Sequence, residues 1–511
     1  MDEDYLMGTD SDSPISEMSE EYWEYLCSSG EDDFTPEQQQ TPTVDKKVVV
    51  DADVCIIGNG PAGISLSAFL AGWHPIYDGS SEHPNSKLHH RLLHNNHTPD
   101  LLYQDLSWYE DEFPELIKPN VRRTSNLLDT LARPNDGLML NGHKNENTLK
   151  VTYNPEAAIS HMVLGEGPIG GSWNTYDSEM VSVSLANGME LPGYTFADFL
   201  DPQLQNARLP SGVVKNYLQK YVEKLGLEKN FVTSTRVVSL EKVCHTQTGQ
   251  EYWNVFCEGD GIKYKMSFNK IVIACGKNVI KRLQVSCFHN LSSNTSLAGL
   301  KAALDTFNKT KSLDVCCMER KTSDYDSDEE CFPHNLTTLF SCRSKTKVVV
   351  IGDGISAADS VKYCLARGIE VIHVIRKNER QMRSSVIARL SPAIYPEYSA
   401  VFNLMIGRTA NKNYRRFIRS TVNTIQTNDI SISTPIGDVT EKFNLAVACI
   451  GRTTSGCLPL SQYQFNHNYQ STQDTSLFAI GSFAGDHFIR YLVGGALEVA
   501  RTLLNPTRPG F

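Results

Sequence analysis

The chain has 511 residues, 40% hydrophobic and 21% charged, with 34 Gly and 22 Pro, enough for a large core and, at roughly 100–200 residues per domain, for two to four domains. This composition excludes a wholly disordered chain, a collagen and a small disulfide scaffold, and no run of about 18 uncharged apolar residues reads as a spanning helix. The net charge of −11 is concentrated in residues 1–45, which carry 14 Asp/Glu and no Lys or Arg; the rest holds 45 acids against 48 bases and gives no electrostatic footprint for nucleic acid.

Residues 1–46 are acidic and Ser-rich and are expected to be a disordered tail. Within it EEYWEYL (20–26) reads either as solvated tail or as a short segment that folds on a protein partner. The start MDEDYLMGTDSD lacks the positive charge of a signal or transit peptide, so a cytoplasmic protein is expected. Thirteen cysteines then read as reduced thiols. None pairs with C-x-x-C spacing, which speaks against hydride delivery to a redox disulfide.

From residue 46 the pattern switches to a β-branched strand, KKVVVDADVCII, which ends in Gly58-Asn59-Gly60-Pro61-Ala62-Gly63 and the apolar helix ISLSAFLAG. In that strand–turn–helix setting G-x-G-x-x-G is a dinucleotide fingerprint. Gly58 permits the tight turn, Gly60 lets backbone approach a pyrophosphate, and Gly63 lets helix and strand pack closely. Pro61 and Ala62 open the helix whose N-terminus favours phosphate. Asp78, 20 residues after Gly58 in HPIYDGS, has the spacing of a carboxylate on a ribose hydroxyl, with His74 to Tyr77 as the second strand. His89, His90, His94 and His97 share helical spacing, but no acid or thiol joins them; they read as a polar surface, with no metal expected.

A helix is expected near residues 210–225 and strands near 231–240, 252–257 and 271–274. Residues 308–346 form an irregular acidic loop containing SDYDSDEE. A second unit then runs KTKVVVIGDGISAADSVKYCLARGIEVIHVIRK, about 290 residues after the first. Its turn is Gly352-Asp353-Gly354-Ile355-Ser356-Ala357, and its second strand ends in Arg376-Lys377 instead of an acid. Two cations attract the 2′-phosphate that a carboxylate would repel, so this site is expected to favour NADPH over NADH. Two such units in one chain predict an α/β fold with two Rossmann-type domains, FAD held permanently and NADPH visiting. The expected layout is FAD domain 47–290 and 450–505, and NADPH domain 291–449.

With Gly170-Gly171-Ser172-Trp173 and the strand Ile271-Val272-Ile273-Ala274-Cys275-Gly276, the two turns resemble class B flavin monooxygenases. The resemblance implies that Gly171 and Trp173 lie near the flavin, that LAVACIG (445–451) returns the chain to the FAD domain, and that the strand ending at Gly481 contacts FAD. The segments IIGNGPAGISLS, HMVLGEGPIGGSW, MELPG, YPEY (395–398) and FAIGSFAGDHFIRYLVGGAL resemble more closely the oxidative stress-induced growth inhibitor family, over roughly residues 50–505. That resemblance implies an NADPH-using, monooxygenase-like flavoprotein acting in the cytoplasm on proliferation, differentiation and cell death. The chain departs from the pattern in three places. The fingerprint F-x-G-x-x-x-H is absent, Cys275 replaces the threonine of A-T-G, and Gly481-Ser482 replaces the final Gly-Asp pair, with Asp486 nearby as the flavin-proximal acid or a helix cap.

The reading is an FAD- and NADPH-dependent oxidoreductase of monooxygenase type. Its rivals are a low-turnover flavoprotein-fold regulator that signals through partners and a nucleotide-independent scaffold. No catalytic base and no substrate emerge from the residues; Arg490 reads either as electrostatic support for the flavin or as a structural ion pair.

Overall fold

Near the start of the described residues, the run ADVCII alternates which side each residue faces, and apart from Asp53 both sides are apolar. In the computed structural model, which describes residues 49–94, 98–135, 147–200, 204, 206–277, 279–281, 283, 286–287, 297–310, 346–454, 460 and 462–505, this run is β1 (Ala52–Ile57). α1 (Pro61–Leu70) follows, buried from Ala62 onward. Then come β2 (Trp73–Ile76), α2 (Arg123–Ala132), β3 (Lys150–Tyr153), β4 (His161–Leu164), β5 (Val181–Leu185), β6 (Arg208–Pro210), α3 (Ser211–Lys224) and β7 (Phe231–Val232). A meander of β8 (Arg236–Cys244), β9 (Glu251–Gly259) and β10 (Ile262–Ile273) leads to the short β11 (Val279–Ile280) and then α4 (Leu297–Thr310). The second half holds β12 (Lys347–Ile351), α5 (Ile355–Ala366), β13 (Glu370–Ile375), α6 (Pro396–Met405) and β14 (Tyr414–Ile418). It continues with β15 (Thr421–Ile425), β16 (Asp429–Thr434), β17 (Gly437–Lys442), β18 (Leu445–Ala448), β19 (Arg452–Thr453), β20 (Leu477–Ala479) and α7 (Ile489–Leu504).

Two parallel sheets organise these elements. In the first, β7, β4, β1 and β10 lie side by side, and β10 also pairs with β20, all parallel; β9 and β8 continue the sheet antiparallel. Successive strand residues face opposite sides. Val54, Ile56, Val163 and Val272 therefore join the core under the helices, while Cys55, Ile57, Leu164, Ile271 and Ile273 join the core under the meander. Burial on both faces is why these strands are nearly uniformly apolar. The second sheet, in the order β14-β13-β12-β18, repeats the arrangement. Val348, Val350 and Val447 face α4, α5 and α6, and Val349, Ile351 and Ile372 face the hairpins of β15–β17.

The fold is therefore α/β with two Rossmann-type sheets, as the two glycine turns predict. One expectation about the first unit fails. β2 is not its second parallel strand but pairs antiparallel with β3, outside the main sheet. The strand beside β1 is β4, some hundred residues on, so the crossover from β1 carries a long excursion containing α2. The excursion is well packed: α7 lies against α1 and α2, where an added Cβ on Gly494 would stand 2.2 Å from the Ser125 backbone. The tail 1–46 and nearly all of the 308–346 loop lie outside the described residues, as does His97. Among the described residues, no helix is long and apolar enough to cross a membrane.

Candidate functional site

Each glycine turn opens onto a cleft, and the two clefts meet. The first, about 860 Å³, is lined by Ile57 to Ala62, Glu166 to Pro168, Gly171, Ser172, Arg236 and Ala274 to Lys277. The second, about 1030 Å³, is lined by Ile351 to Ser356, Asp359, Arg376, Met180 to Ser184, Trp173 and Phe488. Tyr176, Arg452 and His487 line both. These volumes suit ligands of cofactor size.

The glycines of the turns fall into two physical classes. Gly58 has φ +121°, and a Cβ there would stand 2.5 Å from the Ala274 carbonyl oxygen; at Gly63 a Cβ would stand 2.0 Å from the Gly58 oxygen. Gly352 likewise abuts the Cys449 oxygen at 2.2 Å. These three are required by the protein's own packing. Gly60 and Gly354 are not: the nearest atom to a Cβ on Gly60 is 3.9 Å away, and nothing lies within 4 Å of one on Gly354. Both have ordinary extended dihedrals at their helix N-caps. The bare backbone at these two positions faces only the clefts.

The Gly-Gly-Ser-Trp segment lies against the first turn. The Gly170 amide donates to the Asn59 oxygen at 3.0 Å, Asn59 Nδ2 donates to the Gly167 oxygen at 2.6 Å, and a Cβ on Gly171 would stand 2.8 Å from Gly60 Cα. Gly171 lines the first cleft and Trp173 the second. A Cβ on Gly481 would stand 2.8 Å from the Ala62 side chain, while its neighbour Ser482 lines the first cleft. Ala357 is buried in the core beneath the second turn, and Ser356 lines the second cleft.

Three expected site residues, Asp78, Asp486 and Lys377, line neither cleft. Asp78 follows β2, outside the parallel sheet, and pairs with Lys150 at 2.7 Å away from both clefts; the Lys150 ammonium holds its carboxyl well below the usual range. Asp486 lines a separate cavity, accepting from Tyr469 Oη at 2.7 Å with Arg122 Nη1 3.6 Å away. Lys377 pairs with Asp353 of its own turn at 2.7 Å, so Arg376 alone of the two cations lines the second cleft. Arg490 is a structural partner: its guanidinium holds Asp129 bidentately at 2.8 and 2.7 Å.

The comparisons with known proteins agree with this architecture. An oxidative stress induced growth inhibitor homolog of Caenorhabditis elegans is 38% identical over 457 residues, covering 88% of this chain and 94% of that protein. The chain belongs to the oxidative stress-induced growth inhibitor family. No family model matches it. Among solved structures, the bacillithiol disulfide reductase of Bacillus cereus shares the fold at 13% identity, with TM-score 0.52 over 89% of this chain and 99% of that one. The ornithine hydroxylase of Pseudomonas aeruginosa does so at 11% identity and TM-score 0.50, over 89% of this chain and 100% of that one.

In this growth inhibitor family member, sequence spacing misses several residues that the fold brings to the clefts. Glu166, two residues after the end of β4, the strand that adjoins β1, lies at the rim of the first cleft with Arg236 Nε 3.9 Å away. Its signal was an acid one glycine after the apolar strand of HMVLGEG. His487 sits where the clefts meet, and Lys277 Nζ donates to its Nε2 at 3.3 Å; partial burial and then the Lys277 charge lower its proton affinity. Asp359, one turn into α5, lines the second cleft, and burial raises its carboxyl despite Lys362 and the Tyr398 hydroxyl, which donates to it at 3.0 Å. Among the described residues no group of three His, Cys, Asp or Glu could hold a metal ion.

The second turn is braced from below by His373, fully buried on β13. Its Nε2–H donates to the Gly352 carbonyl at 2.6 Å, so Nδ1 accepts from Tyr414 Oη at 2.8 Å. Burial pushes its pKa down from 6.5 to about 4. The unfolded chain takes up this proton first, so unfolding free energy should fall as pH drops from about 6.5 towards 4, by up to about 1.4 kcal/mol per unit. Urea titrations across that range should show a shallower pH slope in His373→Gln.

Proposed function

We propose that this chain is an FAD- and NADPH-dependent oxidoreductase of monooxygenase type, with FAD in the first cleft and NADPH in the second. The observation that carries this reading is the pair Gly60 and Gly354. Neither glycine is demanded by sterics or dihedral, and each presents naked backbone at a helix N-terminus, where amides and dipole favour phosphate. FAD is assigned to residues 47–290 and 450–505 and NADPH to 291–449. Bound there, FAD supplies the redox chemistry that no side chain of this protein can.

The chain's own residues bind and orient. Gly58, Gly60, Pro61, Ala62, Gly63, Gly171 and Ser482 would cradle FAD, and Glu166, not Asp78, stands after the strand adjoining β1, where a carboxylate meets a ribose. Gly352, Gly354 and Ser356 would cradle NADPH, with Arg376 the cation for its 2′-phosphate. His487 and Arg452, lining both clefts, would frame the place where the two cofactors meet. Growth control under oxidative stress is part of this proposal and is supported by the family's name; a cytoplasmic location is proposed with it. The alternative reading, a flavoprotein-fold regulator that turns over slowly or not at all, is favoured by Cys275 and Ser482 in place of the residues usual in flavin monooxygenases.

The purified protein decides. Flavin absorbance that bleaches on anaerobic addition of NADPH is expected; flavin without bleaching would favour the regulator, and a colourless protein that cannot be reconstituted would defeat both. Arg376→Ala should weaken NADPH at least about tenfold while leaving NADH nearly unchanged, since loss of one charge-assisted contact costs about 1.5–3 kcal/mol. Isothermal titration with 2′,5′-ADP and 5′-ADP separates the two.

A further inference from the structure

The YPEY segment is absorbed by neither cleft, yet its side chains connect the two halves of the molecule. Arg208, on β6 of the half that carries the first turn, is fixed by its Nε–H donating to the Ser182 oxygen at 2.8 Å. Its Nη1 pairs with Glu397 on α6 of the other half. The guanidinium packs over the rings of Tyr395 and Tyr398, 4.8 and 5.3 Å from their centroids. Tyr395 Oη donates back across the boundary to the Val183 oxygen, and Val183 itself packs against the core of the second sheet. A second bridge lies alongside, where Lys301 of α4 reaches Asp177 at 2.9 Å.

On the other side of the second cleft both passages of the chain between the halves run together. β11 pairs with β19, Val279 opposite Thr453 and Ile280 opposite Arg452. The second cleft is lined from both sides, by Lys281 and Arg452 next to this short ladder and by Ser182 to Ser184 next to Arg208. A two-residue ladder resists rotation poorly, whereas a partly buried Arg paired with a carboxylate and stacked on aromatics is a stiff contact. The last link is Tyr398, which donates to Asp359 inside the cleft.

We infer that Arg208 and the Tyr395–Glu397–Tyr398 side chains form a latch that holds the two sheets at a fixed separation about the β11–β19 hinge and so positions the second cleft against the first. These are positioning residues; none lines either cleft. The inference rests on the two-cofactor reading for its kinetic consequence, but not for its structural one.

The test compares the full chain with Arg208→Gln, Tyr395→Phe and the exchange Arg208→Glu with Glu397→Arg. By hydrogen–deuterium exchange without added nucleotide, peptides spanning residues 181–185 and 395–405 should exchange about tenfold faster in Arg208→Gln, with β1 and β12 unchanged. In stopped flow, flavin reduction at saturating NADPH should slow about tenfold in Arg208→Gln, while affinity for 2′,5′-ADP stays within twofold, and the exchange variant should recover part of the rate. Tyr395→Phe, which deletes one hydroxyl and preserves the fold, should show the same pattern more weakly. Unchanged exchange at both peptides, or faster exchange throughout the molecule, overturns the latch. If the protein holds no flavin, the two-cofactor reading falls while the exchange experiment still judges the latch.

Discussion

Gly60→Val is expected to give a folded protein that purifies without flavin. Gly60 sits at φ −81° and ψ −177°, extended backbone in which a β-branched residue is comfortable. Its added Cβ meets nothing closer than 3.9 Å, so the fold has no reason to object and the melting temperature of the apoprotein should barely move. The two new methyl groups project into the first cleft, where a pyrophosphate must touch the main chain. Losing that approach should cost at least about 100-fold in FAD affinity, equivalent to about 2.7 kcal/mol. Gly354→Val should do the converse, retaining flavin and losing NADPH. Gly63→Val, with its Cβ 2.0 Å from the Gly58 oxygen, should instead fail as a protein. Flavin content by absorbance and thermal melting of the three variants separate ligand approach from packing; a Gly60→Val protein that stays yellow would remove the main support for the first cofactor site.

Asp129→Ala should be the most destabilising single change among the ion pairs. The Asp129 carboxylate is fully buried on α2 and meets Lys118 at 2.6 Å, Arg133 at 3.0 Å and Arg490 at 2.7 Å. Burial alone would raise its pKa, but the Arg490 hydrogen bonds and the Arg133 and Lys118 charges more than offset this and hold the carboxyl below its ordinary value. Removing it takes the carboxylate away from two largely buried guanidinium groups, those of Arg133 and Arg490, a change worth about 3–5 kcal/mol. Arg490→Ala should cost clearly less, because Asp129 keeps two partners. Because the folded-state pKa is depressed, this stabilisation is present above the ordinary carboxylate range and is lost only as pH falls below it. Chemical unfolding of both variants at pH 7 gives the ranking.

How much of this the sequence carried depended on the range of the interactions involved. β1, α1, β12, α5 and β13 are set by contiguous patterns, an apolar strand, a glycine turn and a helix. The helix at Ser211–Lys224 and the strands of the meander were equally readable, for the same local reason. The pairing of β4 with β1 was not. A fixed interval of twenty residues pointed to Asp78, but that interval holds only where the crossover is short, and here α2, β2 and β3 are interposed. Glu166 was thus visible as a residue and invisible as a neighbour. The same applies to His487, Arg452 and Asp359, which come from α7's approach, β19 and α5 and meet only through tertiary packing. Lys377 failed for a different reason: a cation at a strand end has several acids within reach, and nothing in the string GDG reveals that Asp353 would take it.

The order in which the first sheet is assembled bears on how the protein is made. β10 is paired along its apolar end by β20, and α7 closes over α1 and α2, so pieces from the two extremes of the described residues share one core. A nascent polypeptide emerging from the ribosome would expose the bare side of β10 and the unclad surface of α1 until residues 477–504 had been translated. A premature stop upstream of Leu477 is therefore expected to leave the first sheet without β20 and the first core without α7.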